Sequence, residues 1–167
     1  MSDTVETILD VTERRIREVG YHGFSFRTVA AEVGMKGASV HYHFPSKSLL
    51  AAAVTRRYNE RIAKAVDQKL SAGSDVVQAW RNVFRAALAD GNRMCLCGAL
   101  GMTLSDLSPE VVTEVRRFFD VAINSLMTKG LDRPRALQVL AVLEGAILMA
   151  SVHGDVDIFD QATANLR

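Results

Sequence analysis

Residues 25 to 50 of this chain read SFRTVAAEVGMKGASVHYHFPSKSLL, and this stretch decides the fold. Ser25 can cap a short helix through its hydroxyl, and Gly34 can end that helix in the left-handed conformation. A second short helix is expected from Ala38 to Phe44, after a turn that contains Gly37. The stretch therefore predicts two short helices joined by a glycine-bearing turn.

The second of these helices has two different sides. Val40 and Phe44 can hold it against a core, whereas the residues between them stay outside: Ser39, His41, Tyr42 and His43. A short helix with one apolar side and a polar outer side after a tight turn is typical of the recognition helix in a helix-turn-helix. Pro45 then stops the helix, and Ser46 can cap a long one from residue 47 to about residue 70.

The same stretch carries a family resemblance. Its segments are Gly20-Tyr-x-Gly-Phe-Ser, Thr28-Val-Ala-x-Glu-Val-Gly and Gly37-Ala-Ser-Val-x-Tyr-x-Phe-Pro-Ser-Lys47-x-x-Leu50. In order and spacing they resemble the DNA-binding domain of the TetR family of bacterial repressors, over roughly residues 4 to 60. The resemblance implies a three-helix DNA-binding domain over residues 1–46 and a ligand-binding and dimerisation domain over residues 47–167, with helix 47–70 connecting the two.

Composition and patterning agree with an all-α chain. Hairpin signals are nearly absent, and the remainder predicts helices over residues 75–90, 93–107, 108–129, 132–153 and 155–166. The net charge is +1 overall, but residues 12–61 hold nine Lys and Arg against four Asp and Glu. This excess favours a partner that carries phosphates, because lysine and arginine neutralise them.

Double-stranded operator DNA is the partner that the resemblance implies. Its pattern suggests backbone contacts from Tyr42, His43 and Lys47, with Arg27 and Thr28 close to phosphate as well. Base edges would be read by the turn and the first half of the recognition helix, at Lys36, Gly37, Ala38, Ser39 and His41. Lys36 departs from the small serine or threonine usual at that turn, which puts the cap of the helix in doubt. Tyr42 and Phe44 have an alternative interpretation as core aromatics.

The helix over residues 132–153 is apolar nearly all round, so we expect both of its sides to be buried. One side would pack in its own domain and the other against a second subunit, which predicts a homodimer. The residues assigned to that interface are Leu140, Leu143, Ala146, Ile147, Ala150 and Phe159. Glu144 interrupts this segment, which is also too short for a membrane span, so no membrane partner is expected.

A small-molecule effector site is expected in the second domain, since the family uses that domain as a sensor. Its candidate residues are apolar or aromatic with one acid: Trp80, Phe84, Met94, Cys97, Leu100, Phe118, Phe119, Met127, Glu144 and Met149. Each apolar member could equally be ordinary core. Glu144 needs a polar partner, either an arginine across the subunit interface or a group of the ligand.

Other function classes receive less support from the sequence. Cys95 and Cys97 leave open a thiol-based redox sensor, although small core residues explain them equally well. His41 and His43 do not by themselves indicate a metal, and no cofactor is expected. An enzyme is disfavoured, since no carboxylate pair, nucleophile motif or phosphate loop is visible. The first ten residues lack a signal sequence, so a cytoplasmic location is expected.

Overall fold

The computed structural model describes residues 3–91 and 93–167, and over these residues the chain forms nine α-helices and no strand. The all-α prediction is confirmed. The helices are α1 Asp3–Val19, α2 Phe26–Val33, α3 Gly37–His43, α4 Lys47–Ser71, α5 Val76–Ala89, α6 Leu96–Gly101, α7 Pro109–Thr128, α8 Arg133–His153 and α9 Asp157–Ala162. Short 3-10 helices lie at Tyr21–Gly23 and Leu104–Asp106. Residues 1 and 2 of the predicted DNA-binding domain lie outside the described residues.

Capping residues set the ends of α2 as predicted. The backbone N–H of Thr28 donates to Ser25 Oγ over 3.2 Å, and the N–H of Ser25 donates to Thr28 Oγ1 over 2.8 Å. This reciprocal pair is a capping box with threonine in the place of the usual acid or amide. Gly34 has φ 76° and ψ 31°, a left-handed conformation that glycine adopts without a steric penalty.

The contacts within the chain define two compact units. Unit 1 is Met1–Asn59 with Leu96–Arg116, and unit 2 is Glu60–Cys95 with Arg117–Arg167. This division differs from a boundary at residue 46, because unit 1 also takes the first half of α4, all of α6 and the start of α7. Leu50 and Val54 of α4 are buried in unit 1, where α6 packs against α1.

Unit 1 is built on α1, α2, α3 and the start of α4. Its buried apolar residues include Ile8, Leu9, Ile16, Phe24, Val29, Val40, Leu50 and Val54. Val19 and Phe44 lie at the edge of this core. Val19 is 51% exposed because it is the last residue of α1, just before the chain turns at Gly20, and Phe44 is half-buried at the C-terminus of α3.

Unit 2 packs α5, α8 and α9 together with the second half of α7. One side of α5 is buried in this unit, at Val77, Trp80, Phe84 and Leu88. Asp132 caps α8 by accepting from the N–H of Arg135 over 2.8 Å, and Gly154 ends it at φ 69°, so both predicted ends of this helix are confirmed. By length and composition α8 is apolar enough to cross a membrane, a test that interior helices of globular proteins also pass.

Two predicted helices are shorter in the structure. The helix expected over residues 93–107 is limited to Leu96–Gly101 and a separate 3-10 helix, and the one expected over residues 155–166 is limited to Asp157–Ala162. Glycine at positions 98 and 101 weakens helix formation in the first case. In the second, the helix ends because Thr163 leaves the helical conformation, at φ −106° and ψ 4°. Asp160 of α9 binds Arg81 and Arg85 of α5 over 2.8 to 2.9 Å.

Candidate nucleic-acid interface and sensor region

The outer side of α3 is open to solvent as predicted. Val40 is the buried residue of this helix, whereas Ala38, His41 and Tyr42 are exposed and Gly37, Ser39 and His43 are partly exposed. Lys36 occupies the N-cap without a side-chain hydrogen bond to the helix, which confirms that this turn lacks the usual cap. The free end of α3 therefore offers its first backbone N–H groups and the Lys36 ammonium to a partner.

Aromatic contacts orient two side chains on this surface. The His41 ring meets the Phe26 ring edge to face, with centroids 4.3 Å apart, and Tyr42 meets His43 in the same way at 5.2 Å. Tyr42 is 84% exposed, so it is not a core aromatic. A phenol and an imidazole held at the surface are well placed to donate hydrogen bonds to phosphate or base edges.

The two predicted contacts on α2 differ in availability. Arg27 is exposed in the first turn of α2. The hydroxyl of Thr28 is engaged in the capping box, where it accepts from the Ser25 N–H and lies 2.8 Å from the Ser25 carbonyl oxygen. A hydroxyl has one proton to donate, so Thr28 can donate to a phosphate only when that cap bond opens.

Lys47 has an environment that sequence reasoning missed. Its Nζ lies over the rings of both Tyr21 and Phe24, 4.6 Å from each centroid. The side chain is half-buried, and this burial lowers the pKa of the Lys47 ammonium from its ordinary value. The aromatic residues at positions 21 and 24 were a visible signal, because an ammonium packs favourably on aromatic faces.

Internal ion pairs reduce the positive excess counted in the sequence. Arg14 and Arg15 both bind Glu32, and Arg57 binds Glu6 over 2.8 Å and Asp10 over 2.6 Å. Arg57 is therefore half-buried and paired. On α2 and the turn before α3, the exposed cations Arg27 and Lys36 form no ion pair with any residue that the structure describes. The positive charge that remains available to phosphates therefore includes these two residues beside the exposed side of α3.

Unit 1 contains a buried polar network that the sequence did not predict. Asn59 of α4 donates from Nδ2 to the backbone oxygen of Glu114 over 2.9 Å, and the Cys97 thiol donates to Asn59 Oδ1 over 3.4 Å. Arg56 donates from Nε to Glu114 Oε1 over 2.9 Å. Cys97 thus joins α6 to α4 within unit 1. Leu100 also belongs to unit 1, whereas the other predicted pocket residues belong to unit 2.

Four predicted pocket residues do come together in unit 2. Trp80 lies 6.1 Å from Phe84 and 6.4 Å from Phe118 between ring centroids, and Phe118 lies 5.2 Å from Phe119. The indole N–H of Trp80 donates to Ser125 Oγ over 3.2 Å. Met127 and Met149 are exposed and Met94 is half-buried, so the predicted set is an aromatic cluster with scattered methionines.

Glu144 is the most unusual ionisable group in unit 2. Both of its carboxyl oxygens are buried and neither has a hydrogen-bond partner, although the residue as a whole is partly exposed. Burial raises the pKa of Glu144 from 4.5 to about 7, and the neighbouring Cys95 thiol offsets part of that rise without forming a bond of ordinary geometry. The hydroxyl of Ser151, seven residues along the same face of α8, is also buried without a partner.

The residues predicted for the subunit interface lie inside the chain's own core. Leu140, Leu143, Ala146, Ile147, Ala150 and Phe159 are all buried within unit 2, so their side chains are not available to a second subunit. The sequence pattern could not tell the two apolar sides of α8 apart. The side left exposed, named here the α8 stripe, consists of Leu137, Ala141, Gly145, Leu148, Met149 and Val152.

The arrangement of side chains in the described residues does not indicate a metal site or a disulfide. No group of three or more His, Cys, Asp or Glu that could hold a metal ion occurs in residues 3–91 and 93–167. Cys95 and Cys97 are both buried and form no disulfide.

Known proteins share both the sequence pattern and the fold. Residues 8–54 match the bacterial regulatory proteins of the tetR family. The chain is 30% identical to a TetR transcriptional regulator from Legionella pneumophila, whose crystal structure aligns with a TM-score of 0.86 over 99% of this chain and 96% of that one.

Two curated relatives point the same way. The chain is 34% identical over 95 residues to an uncharacterised HTH-type transcriptional regulator in the dhlA 5' region of Xanthobacter autotrophicus, an alignment that spans 54% of this chain and 47% of the relative. It is 27% identical over 160 residues to the HTH-type transcriptional repressor DhaR of Mycobacterium sp. (strain GP1), covering 86% of this chain and 80% of that one. The matched region is thus about half the length of the first of these relatives.

The capped α2, the turn at Gly34 and the exposed side of α3 define a helix-turn-helix regulator. The chain belongs to the TetR family of bacterial regulatory proteins, and it is a transcriptional regulator.

Proposed function

We propose that this chain is a cytoplasmic repressor that binds a pseudo-palindromic operator as a homodimer and is released by a small-molecule inducer. The observation that carries the proposal is the side of α3 opposite Val40, where Tyr42 is 84% exposed beside His41 and His43. A large aromatic residue so exposed on a short helix has no structural role of its own, and it is suited to contact with DNA.

DNA contacts fall into two groups on this surface. Arg27, Tyr42 and His43 bind phosphates, since each can donate a hydrogen bond from the edge of the helix-turn-helix. Lys36, Gly37, Ala38, Ser39 and His41 face the base edges, where the Ala38 methyl can meet a thymine methyl. One such element contacts few bases, so a second copy on a twofold axis is needed to read two half-sites about 34 to 36 Å apart.

The α8 stripe is the surface proposed for the second copy. Its leucine, methionine and valine side chains are exposed, and Ala141 and Gly145 between them allow another helix to approach closely. An apolar surface of this kind favours burial against a second subunit. The proposed dimer helix is therefore still α8, but the residues proposed to contact the second subunit are those of the α8 stripe and not the buried residues on the other side of the helix.

The inducer is proposed to bind in unit 2 and to satisfy Glu144. A buried carboxyl without a partner is a costly feature that functional sites retain. Its two acceptor oxygens and the Ser151 hydroxyl select a ligand that offers N–H or O–H donors, and the cluster around Trp80 supplies apolar contact surface in the same unit. Release of DNA then requires that the inducer bind more tightly to the form of the dimer in which the distance between the two α3 helices does not match the two half-sites.

Binding to the DNA upstream of the chain's own gene tests the central proposal. A fluorescein-labelled duplex carrying an inverted repeat from that region is titrated with protein, and anisotropy gives the Kd. We expect Tyr42→Ala to weaken binding by about tenfold, a loss typical of a good contact. Met102→Ala is the matched control, because Met102 is 83% exposed but lies outside α2 and α3. Equal affinity of wild type and Tyr42→Ala would refute the assignment.

Sedimentation tests the α8 stripe separately. We expect Leu148→Glu to convert dimer to monomer, because a charge placed in an apolar interface is left without a partner. Ala86→Glu on an exposed position of α5 serves as the control and should leave the dimer intact. A Leu148→Glu protein that remains dimeric would show that another surface joins the subunits.

The thiol-sensor alternative gains no support from the surroundings of the cysteines. Reactive thiolates are stabilised by a neighbouring positive charge or a helix N-terminus. Cys95 lies beside the Glu144 carboxyl, and Cys97 donates to an amide oxygen of Asn59. Neither of these two neighbours carries a positive charge, so reversible ligand binding is the function proposed.

A further inference from the structure

Phe26 and His41 form a contact between the two helices of the reading element. Phe26 is the first residue of α2, and His41 lies in the second turn of α3. Their ring centroids are 4.3 Å apart and their planes meet at 87°, which is an edge-to-face arrangement. Attraction between the edge of one ring and the face of the other stabilises such pairs. The contact therefore links an exposed side chain of α3 to a half-buried side chain of α2.

This contact gives α3 a second point of attachment. Val40 is the buried residue of this short helix, and one buried side chain restrains rotation about the helix axis only weakly. His41 follows Val40 in the chain and projects about 100° away from it around the helix. Phe26 contacts α3 on that second side. The rotation of α3, and with it the direction of the His41 ring, is thus set from α2.

The His41 ring can still bind a base while it contacts Phe26. The residue is exposed, and its ring nitrogens form no hydrogen bond with any residue that the structure describes. An edge-to-face contact uses one edge or one face of the imidazole, which leaves at least one nitrogen free to donate or accept. Tyr42 and His43 also meet edge to face, but both belong to α3, so that contact moves with the helix.

From this geometry we infer that Phe26 is a positioning residue that determines DNA sequence specificity through His41. The inference rests on the proposed DNA binding, in which His41 faces the base edges. Immobilising a side chain on binding costs a factor of about two to ten in Kd. The Phe26 ring restricts His41 before DNA binds, so most of this cost is avoided. A restrained imidazole also favours one base pair, whereas a mobile one can adapt to several.

A selection from randomised DNA measures the preference of the protein at each base pair. The probe is a pool of duplexes with a randomised centre of about 30 base pairs, which holds two half-sites one helical turn apart. Sequencing of the bound fraction from His41→Ala identifies the base pair that His41 reads, because the preference is lost there. We expect Phe26→Leu to reduce the preference at that same base pair from about tenfold to about threefold or less. Preferences at the other base pairs should remain.

Two further variants show whether an aromatic ring is what position 26 supplies. Phe26→Tyr keeps a ring beside His41 and should retain the preference. Val33→Ala is the matched control, because Val33 is also half-buried on α2 but lies at the other end of that helix. Circular dichroism melting is done first on each variant, and Phe26→Met replaces Phe26→Leu if the leucine variant does not fold.

Three outcomes of the selection would overturn the inference. One is a preference in Phe26→Leu that equals that of wild type. Another is a loss of the same preference in Val33→Ala, which would assign the effect to the general packing of α2. The third is a His41→Ala protein with every preference intact, since Phe26 would then have no base contact to act through.

A double-mutant cycle on a selected duplex gives a second readout. Phe26→Leu should raise Kd by about two- to tenfold in the wild-type background but by less than about twofold in His41→Ala, because restraint of a missing ring has no effect. Equal effects in the two backgrounds would show that Phe26 acts independently of His41, and the inference would fail.

NMR of the free protein checks the contact without DNA. The chain has four histidines, so the ring signals of His41 can be assigned by their absence from His41→Ala. The Phe26 ring, at 4.3 Å, shifts these signals, and Phe26→Leu should remove that shift while the His153 signals stay in place. His41 signals that do not move would overturn the inference. Failure of wild type to enrich any sequence, with the His41 shift present, would instead refute the proposed function.

Discussion

Glu114 in unit 1 and Glu144 in unit 2 both have a buried carboxyl group, and the surroundings of the two groups differ. In unit 1, Glu114 accepts from Arg56 over 2.9 Å and from the Asn59 amide over 3.5 Å. In unit 2, both carboxyl oxygens of Glu144 are buried without a hydrogen-bond partner, and its pKa rises to about 7. The same residue type therefore sits in a satisfied network in one unit and in an unsatisfied position in the other.

This difference indicates what each unit does with its polar interior. A carboxylate whose hydrogen bonds are satisfied stabilises one arrangement of the helices around it, as Glu114 does for α4 and α7. A carboxyl without partners destabilises its surroundings and gains most when a ligand supplies them. Unit 1 is accordingly suited to a fixed shape for reading DNA, and unit 2 to a response that depends on a bound molecule.

The largest expected effect is the pH dependence of stability that Glu144 produces. Because its folded-state pKa is raised from 4.5 to about 7, the folded chain holds this proton more tightly than the unfolded chain. The contribution of this tighter proton binding to the free energy of unfolding is fully present below about pH 4.5 and is lost as the pH rises through about 7. We expect the free energy of unfolding of wild type to fall by about 2 to 3 kcal/mol relative to Glu144→Gln between about pH 5 and about pH 8.

Urea denaturation at one protein concentration across this pH range measures the effect, since the stability of a dimer depends on concentration. Because Glu144→Gln cannot titrate at this position, the difference between its profile and that of wild type isolates the contribution of the Glu144 carboxyl. Parallel profiles for wild type and Glu144→Gln would show that the Glu144 carboxyl is not isolated in solution.

Truncation of Glu114, whose carboxylate accepts hydrogen bonds, should have the next largest effect. Glu114→Ala removes the carboxylate and leaves the buried amide of Asn59 with one fewer acceptor, so we expect a loss of about 2 kcal/mol at neutral pH. Glu144→Ala in the same buffer should cost less, because no hydrogen bond is broken there. The comparison between the two glutamates fails if Glu144→Ala is the more damaging change.

The cysteines extend the comparison at a smaller scale. Cys97→Ala removes the thiol that donates to Asn59 Oδ1 and should destabilise the protein by about 1 kcal/mol. Cys95→Ala removes the group that lowers the pKa of Glu144, so the pH at which stability declines should move upward. Denaturation profiles of both variants test this. Identical stability and pH dependence in the two cysteine variants would contradict the proposed difference between the surroundings of Glu114 and Glu144.

Arg56→Ala should have the smallest effect. The side chain of Arg56 is 58% exposed, and an ion pair that is open to water contributes less than about 1 kcal/mol. The same denaturation assay at low and high salt measures the loss, which should shrink as salt screens the pair. A loss as large as that of Glu114→Ala would assign the stability of the network to the arginine and not to the buried amide.

Local signals in the sequence predicted the reading element well. Ser25 and Gly34 set the two ends of α2 through their own backbone and side-chain geometry, and Asp132 and Gly154 do the same for α8. Such signals act within four or five residues, so they can be read without knowledge of the fold. The exposed position of Tyr42 also followed from the spacing of apolar residues around Val40.

Long-range contacts escaped the same reasoning. The contacts of the Lys47 ammonium with two aromatic rings bring together residues 21, 24 and 47, and the Glu114 network joins residues 56, 59, 97 and 114. The side of α8 that faces the core could not be chosen either, because both sides are apolar. Only packing against α5 and α9 distinguishes Leu143 inside from Leu148 outside.

By itself the sequence determined the helical class, most helix ends and the family to which the reading element belongs. These depend on residue identity at short spacing, where a cap, a glycine or a proline acts on its own neighbours. The tertiary structure decided which charges remain available to DNA, which glutamate is satisfied and which side of α8 is exposed. Those outcomes depend on the partners that distant segments bring, and burial turns the presence or absence of a partner into a large difference in free energy.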